Sequence, residues 1–420
     1  MPPGIVIIGT GQAGFQTAAS LRTEGYQETI ALIGEEPHIP YQRPPLSKGF
    51  ALGKQDVDAV ELRPAAFYQD HRIELLASAK VTEIERAEKQ VKLASGARVP
   101  YRTLVLAAGA RNRKLPMKGA ELDGVLYLRS LEEAIVVRDR LKDAREIVVI
   151  GGGFIGLELA AAAATLGKSV TVLEALPRLM SRAVAPVISE FFRELHTSHD
   201  VKVLCDCSVA EISGAGGRVK GVELRDGASY PADLVIVGVG VTPNVELAQA
   251  AGLCTANGVA VDEQLRTDDE NIFAIGDCAE HPCIFADGRV RLESVQNAAD
   301  QGQFVAAAIT GHRGTYKALP WFWTDQFDVK LQMAGISHGH DRTVTRGNEE
   351  SKKISVFYFK ANHLLAIDSI NRSLDHIIGR KLIAGRVPLT PEQAADESVD
   401  LKRLELAFRH QSGASTLDSI

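Results

Sequence analysis

The sequence predicts an α/β protein with two strand–glycine-turn–helix units and a C-terminal α+β domain, on three observations. First, the β-formers Ile5-Val-Ile-Ile8 run straight into Gly9-Thr-Gly11-Gln-Ala13-Gly14, and a helix-like stretch follows from Gln12 to about Glu24. Second, Glu146-Ile-Val-Val-Ile150 runs into Gly151-Gly152-Gly153-Phe-Ile155-Gly156 and an alanine-rich helix through Leu166. Third, the composition changes at Pro320, where both tryptophans, Trp321 and Trp323, precede alternating strand-like segments at Val329–Met333 and Ile354–Phe359. A glycine turn between strand and helix, with a second strand ending in an acid, is the Rossmann-like pattern for a dinucleotide. Two such domains therefore precede a third that starts at about Leu319.

The chemistry of the pattern is physical. The first glycine permits the tight turn, the second lets a pyrophosphate approach the backbone, and the third lets helix and strand pack closely. Free N–H groups and the helix dipole then face the phosphates. After Gly14 the strand Thr29–Gly34 ends at Glu35, and after Gly156 the strand Ser169–Leu173 ends at Glu174. Each acid stands where a ribose hydroxyl is expected. A carboxylate at Glu174 accepts from the 2′- and 3′-hydroxyls of a ribose and repels a 2′-phosphate, which favours NAD over NADP. Arg178 and Arg182 follow closely and leave NADP open on sequence alone.

Composition narrows the class. At 420 residues the chain is long enough for two or three domains. A net charge of −6 argues against general nucleic-acid affinity. No apolar run reaches the length of a membrane span. The first strand is expected to begin near Gly4, so no cleaved leader is expected. Five cysteines without dense spacing suit a reducing cytosol, so the expectation is a cytoplasmic protein.

Several further stretches carry chemistry. His38-Ile-Pro-Tyr-Gln-Arg43-Pro-Pro-Leu-Ser-Lys48 is a loop stiffened by adjacent prolines. It either holds Arg43 and Lys48 toward a diphosphate or flavin, or is an ordinary solvated basic loop. Lys80–Ile84 and Gln90–Leu93 alternate as strands, and Ser95-Gly96 reads as a hairpin turn. Tyr101–Gly109 and Asp233–Gly240 are apolar strands with small residues at their ends, so the two halves share one plan and imply duplication. Ile272-Phe-Ala-Ile-Gly276 delivers Asp277, to a hydroxyl or a backbone turn, and Ser294 is a candidate N-cap. Thr390-Pro-Glu-Gln393 fits a capping box, and the Ser/Gly/Thr-rich tail after His410 is expected to fray.

Taken together, the motifs resemble the two-dinucleotide flavoprotein disulfide reductases, with a glutathione-reductase-like fold. Within that fold they are most similar to the FAD-dependent, NADH-linked ferredoxin reductases that serve bacterial cytochrome P450s and Rieske oxygenases. The most specific pieces are Arg43-Pro-Pro-Leu-Ser-Lys48, Gly276-Asp-Cys-Ala279, Leu292-Glu-Ser-Val-Gln-Asn297 and Pro320-Trp-Phe-Trp-Thr-Asp325. The resemblance implies an FAD-binding domain at 1–110 and 241–318, an NAD-binding domain at 111–240 and a C-terminal domain at 319–420. It implies that Gly9, Gly11, Ala13 and Gly14 hold the FAD pyrophosphate and that Glu35 takes the adenosine ribose. Val81 would meet adenine through its backbone, and Arg43, Lys48 and Arg129 would contact the diphosphate or flavin side. Asp277 would bind the ribityl chain, with Val295 and Trp323 beside the flavin ring. Gly152, Ile155, Glu158 and Glu174 would hold NADH, and Lys48 and Glu158 would pair where hydride arrives.

One departure bears on the chemistry. Disulfide-reducing members of the wider fold place a reactive cysteine in or near the loop occupied here by Arg43–Lys48, whereas the first cysteine of this chain is Cys205. Cys278 and Cys283 have a Cys-x4-Cys spacing but follow the aspartate expected at the ribityl chain. Cys205 and Cys207 supply too few ligands for a metal, and none is expected. The implied reaction takes hydride from NADH and passes single electrons to a 2Fe–2S ferredoxin, in a monomer or weak dimer. Two alternatives remain at this stage: a reductase of rubredoxin or an organic radical, and a slow-turnover NADH-binding signalling flavoprotein.

Overall fold

Uninterrupted runs of Val, Ile and Leu become strands buried on both faces, as parallel sheets require. The computed structural model describes residues 4–348 and 350–411, so the tail expected to fray lies outside the described residues. The chain forms two units, the first of Met1–Leu115, Leu126–Lys142 and Val239–Ala318, the second of Pro116–Val125, Asp143–Gly238 and Leu319–Ile420.

In the first unit, β1 (Gly4–Ile8) leads to α1 (Gln12–Thr23) and β2 (Ile30–Ile33), and both strands are wholly buried. With β3 (Ile73–Leu76) and the far half of β6 (Arg98–Leu106) they form the parallel order β3-β2-β1-β6, extended by Ile272–Ala274. Ile5 lies opposite Ile30 on one side and Thr103 on the other. The near half of β6 turns back antiparallel onto β5 (Gln90–Leu93), which pairs β4 (Val81–Glu85). Gly96 makes the expected hairpin turn with φ +87°. Helix α1 packs against Val295–Ile309 so closely that a Cβ on Gly302 would lie 2.9 Å from the Ala13 carbonyl oxygen.

The second unit repeats the plan. Strands β7 (Glu146–Ile150), β8 (Ser169–Leu173), β9 (Val201–Leu204) and β10 (Leu234–Val237) form the parallel order β9-β8-β7-β10. Helix α2 (Phe154–Thr165) follows β7 and is buried without a break from Gly156 to Ala163, which explains its run of alanines. Helix α3 (Pro186–Thr197) precedes β9.

The C-terminal segment of this unit is α+β, as its sequence predicts. Strands β11 (Trp321–Gln326), β12 (Val329–Gly335), β13 (Arg342–Asn348), β14 (Lys353–Lys360) and β15 (His363–Ile370) form an antiparallel sheet in the order β11-β12-β15-β14-β13. Helix α4 (Ser373–Ala384) covers it, and a Cβ on Gly379 would meet Ile367 at 2.7 Å. Strands β11, β13 and β15 and helix α4 have no counterpart among the segments expected from the sequence. Strand β13 is a polar edge strand, and α4 exposes Leu374 and Ile377, which blurs its apolar period. The capping box at Thr390 is formed as expected, with both reciprocal bonds present.

Candidate functional site

The two glycine turns are near copies. Gly9 has φ +113° and Gly151 φ +108°, a region that side chains avoid, so each first glycine is required by the backbone. The Gly9 N–H donates to the Ile33 carbonyl at 2.8 Å, and the Gly151 N–H to Leu173 at 2.8 Å. A Cβ on Gly14 would lie 1.9 Å from the Gly9 carbonyl oxygen, and one on Gly156 2.2 Å from that of Gly151. The third glycine thus allows the helix to leave against its own turn. Around the middle glycines the protein leaves room: a Cβ on Gly11 would meet nothing within 4 Å, and one on Gly153 only the Gly238 carbonyl oxygen at 3.9 Å.

Neither helix is capped by a side chain, whereas the helix Val295–Ile309 is capped by Ser294, whose hydroxyl accepts from the Asn297 N–H at 3.0 Å. Two uncapped helix starts beside open space are what a nucleotide pyrophosphate requires. On that geometry the residues fit two dinucleotides, FAD and NAD.

The acids at the strand ends differ. Glu35 is exposed and paired to Lys80 at 2.8 Å, beside Val81, which is buried at the start of β4. Glu174 is fixed instead: Oε2 accepts from the Gly152 N–H at 2.6 Å and Oε1 from the Leu176 N–H at 2.8 Å. Arg178, which the sequence left open as a phosphate ligand, donates to the Val184 carbonyl, the Ser189 hydroxyl and the Ser181 carbonyl at 2.7–2.8 Å. Its guanidinium shapes the loop. A cavity of about 320 Å³ is lined in part by Pro177, Arg178, Ser189, Arg193 and Cys205. Ile155, at the start of α2, is exposed.

In the first unit the structure gathers Arg43, Arg129 and Asp277. Arg129 Nη2 donates to Asp277 Oδ2 at 2.6 Å, and Arg129 Nε to the Ala110 carbonyl at 2.9 Å. Arg43 donates to the Arg129 carbonyl and, at 2.9 Å, to Glu36 Oε1, while the Tyr41 hydroxyl donates to Glu36 Oε2 at 2.5 Å. Burial pushes the Tyr41 phenol up. Pro44–Ser47 forms one 3₁₀ turn, and Lys48 Nζ donates to the Pro44 carbonyl at 3.3 Å.

Asp277 sits in another short turn whose first residue, Gly276, donates its N–H to Gln301 Oε1 at 2.7 Å. Gln301 in turn contacts His281 Nδ1 at 3.2 Å, and burial lowers that imidazole to about 4. Val295 is half-buried at the start of the Ser294-capped helix. Glu36 and Tyr41 escaped the sequence reading because an acid beside Glu35 looks like one more surface charge.

In the second unit Glu158 is buried in the first turns of α2 and accepts from the Thr324 hydroxyl at 2.6 Å. Trp323, the neighbour of Thr324, is half-buried. Lys48 belongs to the first unit and Glu158 to the second. Thr324 lies within the Pro320–Asp325 motif, which assigned it no role, and Gln326 and His196 are further buried polar residues outside any motif.

All five cysteines are free thiols. Cys278 is fully buried and burial pushes its thiol up to about 11, which suppresses the thiolate that disulfide exchange needs. Burial raises Cys205, Cys207 and Cys283 as well. Among the described residues no group of three or more His, Cys, Asp or Glu is arranged to hold a metal, and no helix is long and apolar enough to cross a membrane.

Residues 3–302 match the pyridine nucleotide-disulphide oxidoreductase family and residues 321–405 the reductase C-terminal family. The chain therefore belongs to the pyridine nucleotide-disulphide oxidoreductases. Rhodocoxin reductase of Rhodococcus erythropolis is 49% identical over 398 residues, covering 95% of this chain and 93% of that protein. The ferredoxin reductase for the CYP199A2 system from Rhodopseudomonas palustris is 48% identical with a TM-score of 0.93, covering 95% of this chain and 99% of that one. Putidaredoxin reductase in its covalent complex with putidaredoxin is 40% identical with a TM-score of 0.93, covering 97% of this chain and 99% of that one.

Proposed function

We infer that the chain is an FAD-dependent NADH:ferredoxin reductase, whose 2Fe–2S ferredoxin supplies a cytochrome P450 or Rieske oxygenase. The observation that carries this is the pair of complete glycine turns, each with an uncapped helix and its own acid, in a chain whose one buried thiol, Cys278, is poorly suited to relay electrons. When bound, the flavin supplies the conversion of a two-electron hydride donor into single electrons.

The chain's own residues bind and orient. Gly9, Gly11, Ala13 and Gly14 receive the FAD pyrophosphate on the start of α1, and Glu35 and the Val81 backbone take its adenosine end. Arg129 holds Asp277 toward the ribityl chain, Arg43 holds Arg129 through its carbonyl, and Val295 and Trp323 flank the flavin ring. Gly152, Ile155, Glu158 and Glu174 receive NADH, and Lys48 and Glu158 serve the hydride step. On this reading 1–110 with 241–318 form the FAD-binding domain, 111–240 the NAD-binding domain and 319–420 the C-terminal domain. We place the protein in the cytoplasm, as a monomer or weak dimer.

Steady-state reduction of a 2Fe–2S ferredoxin, a rubredoxin and a small organic acceptor, with NADH and with NADPH, tests the assignment. Fastest turnover with NADH and the ferredoxin is expected. Preference for rubredoxin, or flavin reduced by NADH that no acceptor reoxidises, would replace it.

A further inference from the structure

Helix α2 and strand β11 meet by matching periods. Phe154 and Glu158, four residues apart, share a face of α2, and Phe322, Thr324 and Gln326 share a face of β11. The Phe154 and Phe322 rings lie 4.8 Å apart, and one helical turn on Glu158 meets Thr324. Beyond them Gln326 reaches His196 on α3.

The four polar side chains are almost wholly buried: Glu158 is 6% exposed, Gln326 1%, and Thr324 and His196 0%. Their bonds have one direction. An amide oxygen can only accept, so in the contact of 2.8 Å between His196 Nε2 and Gln326 Oε1 the imidazole donates. Burial lowers His196 to about 4, so at neutral pH it carries its single proton on Nε2. Gln326 Nε2 donates to Thr324 Oγ1 at 3.4 Å, and the Thr324 hydroxyl, with that lone pair occupied, donates to Glu158 Oε1 at 2.6 Å. Every donor thus points toward one carboxylate, and aligned bonds in a low dielectric strengthen each other.

We propose that Thr324 is a positioning residue for the hydride step, holding the Glu158 carboxylate in one rotamer with Gln326 and His196 fixing the direction of its hydroxyl. This rests on the reading that Glu158 acts at that step. A threonine here does what a buried apolar residue of equal size cannot: it fills the space and also supplies a proton donor.

The test is the rate of flavin reduction by NADH, measured by anaerobic rapid mixing of flavin-loaded protein, for Thr324→Val, Thr324→Ser, Glu158→Gln and the Glu158→Gln/Thr324→Val pair. Loss of a hydrogen bond to a charged group predicts a roughly tenfold slower limiting rate for Thr324→Val with little change in the half-saturating NADH concentration. Thr324→Ser should restore most of the rate, and the double variant should be no slower than Glu158→Gln alone. Should Thr324→Val fail to load flavin, Gln326→Met carries the test, with a smaller slowing expected.

A normal rate in Thr324→Val beside a slow Glu158→Gln overturns the proposal alone, as does failure of serine to rescue. An unchanged rate in Glu158→Gln removes Glu158 from the hydride step, and the proposal with it.

Discussion

The two glycine turns share their backbone and differ in their acids. Glu35 stands in solvent with Lys80 as partner, whereas Glu174 is clamped by the Gly152 and Leu176 N–H groups. An exposed pair must be reoriented before it can meet a ribose and is screened by salt. A carboxylate fixed on the turn is already in place and loses little side-chain entropy when a ligand arrives. One backbone turn thus presents its acid in two ways, loose at Glu35 and clamped at Glu174. On the proposed reading, the first turn would receive a cofactor also anchored at Asp277, and the second a nucleotide that comes and goes and relies on a preset acid.

The largest effects should come from breaking either turn. Gly14→Val and Gly156→Val each force a side chain into a carbonyl oxygen, at a cost of about 3 kcal/mol or more. Gly14→Val should lose flavin on gel filtration. Gly156→Val should keep flavin yet resist bleaching by NADH, and equal loss of flavin from both would erase the distinction. Next comes Asp277→Ala, which removes a carboxylate paired to Arg129 and should weaken FAD binding by roughly 1.5–3 kcal/mol in a fluorescence titration. Undiminished flavin retention would sink its assignment.

The units should also be separable by pH. Burial raises Asp368, a second-unit carboxylate bonded by the Tyr358 hydroxyl, to about 7. The folded state then holds a proton that the unfolded chain releases near pH 4, so this group's contribution is fully present below pH 4 and lost as pH rises through 7. Asp368→Asn should flatten the fall in stability between pH 5 and 8 by on the order of 2 kcal/mol, read from denaturant melts. An identical pH slope in parent and variant would show that the carboxylate does not titrate there. Smaller again, Glu174→Ala should reduce the NADH-over-NADPH preference by about tenfold. Glu35→Ala should cost FAD binding less than about 1 kcal/mol, because its partner is solvent-exposed. A larger loss at Glu35 than at Glu174 would invert the comparison.

Much of this was legible in the chain because glycine spacing and runs of β-formers are local signals. Both turns, the Ser294 cap and the Thr390 capping box follow from residues within a few positions of each other. What the sequence hid was set by distant partners. Arg178 reads as a candidate phosphate ligand until Val184, Ser181 and Ser189 are seen to occupy it. Thr324 and His196 lie 128 residues apart in sequence and share a polar chain only because β11 meets α2 through Thr324 and α3 through Gln326. Polar edge strands such as β13 lack the alternation that betrays a buried strand.

The central claim is that electrons pass through the flavin without a thiol relay. A variant with Cys205, Cys207, Cys254 and Cys283 changed to serine and Cys278 to alanine tests it most directly, by NADH-driven reduction of a 2Fe–2S ferredoxin. A rate within about twofold of the parent is expected, since burial raises Cys205, Cys207, Cys278 and Cys283 and so makes them poor relays. Retained bleaching of the flavin by NADH with ferredoxin reduction abolished would contradict it.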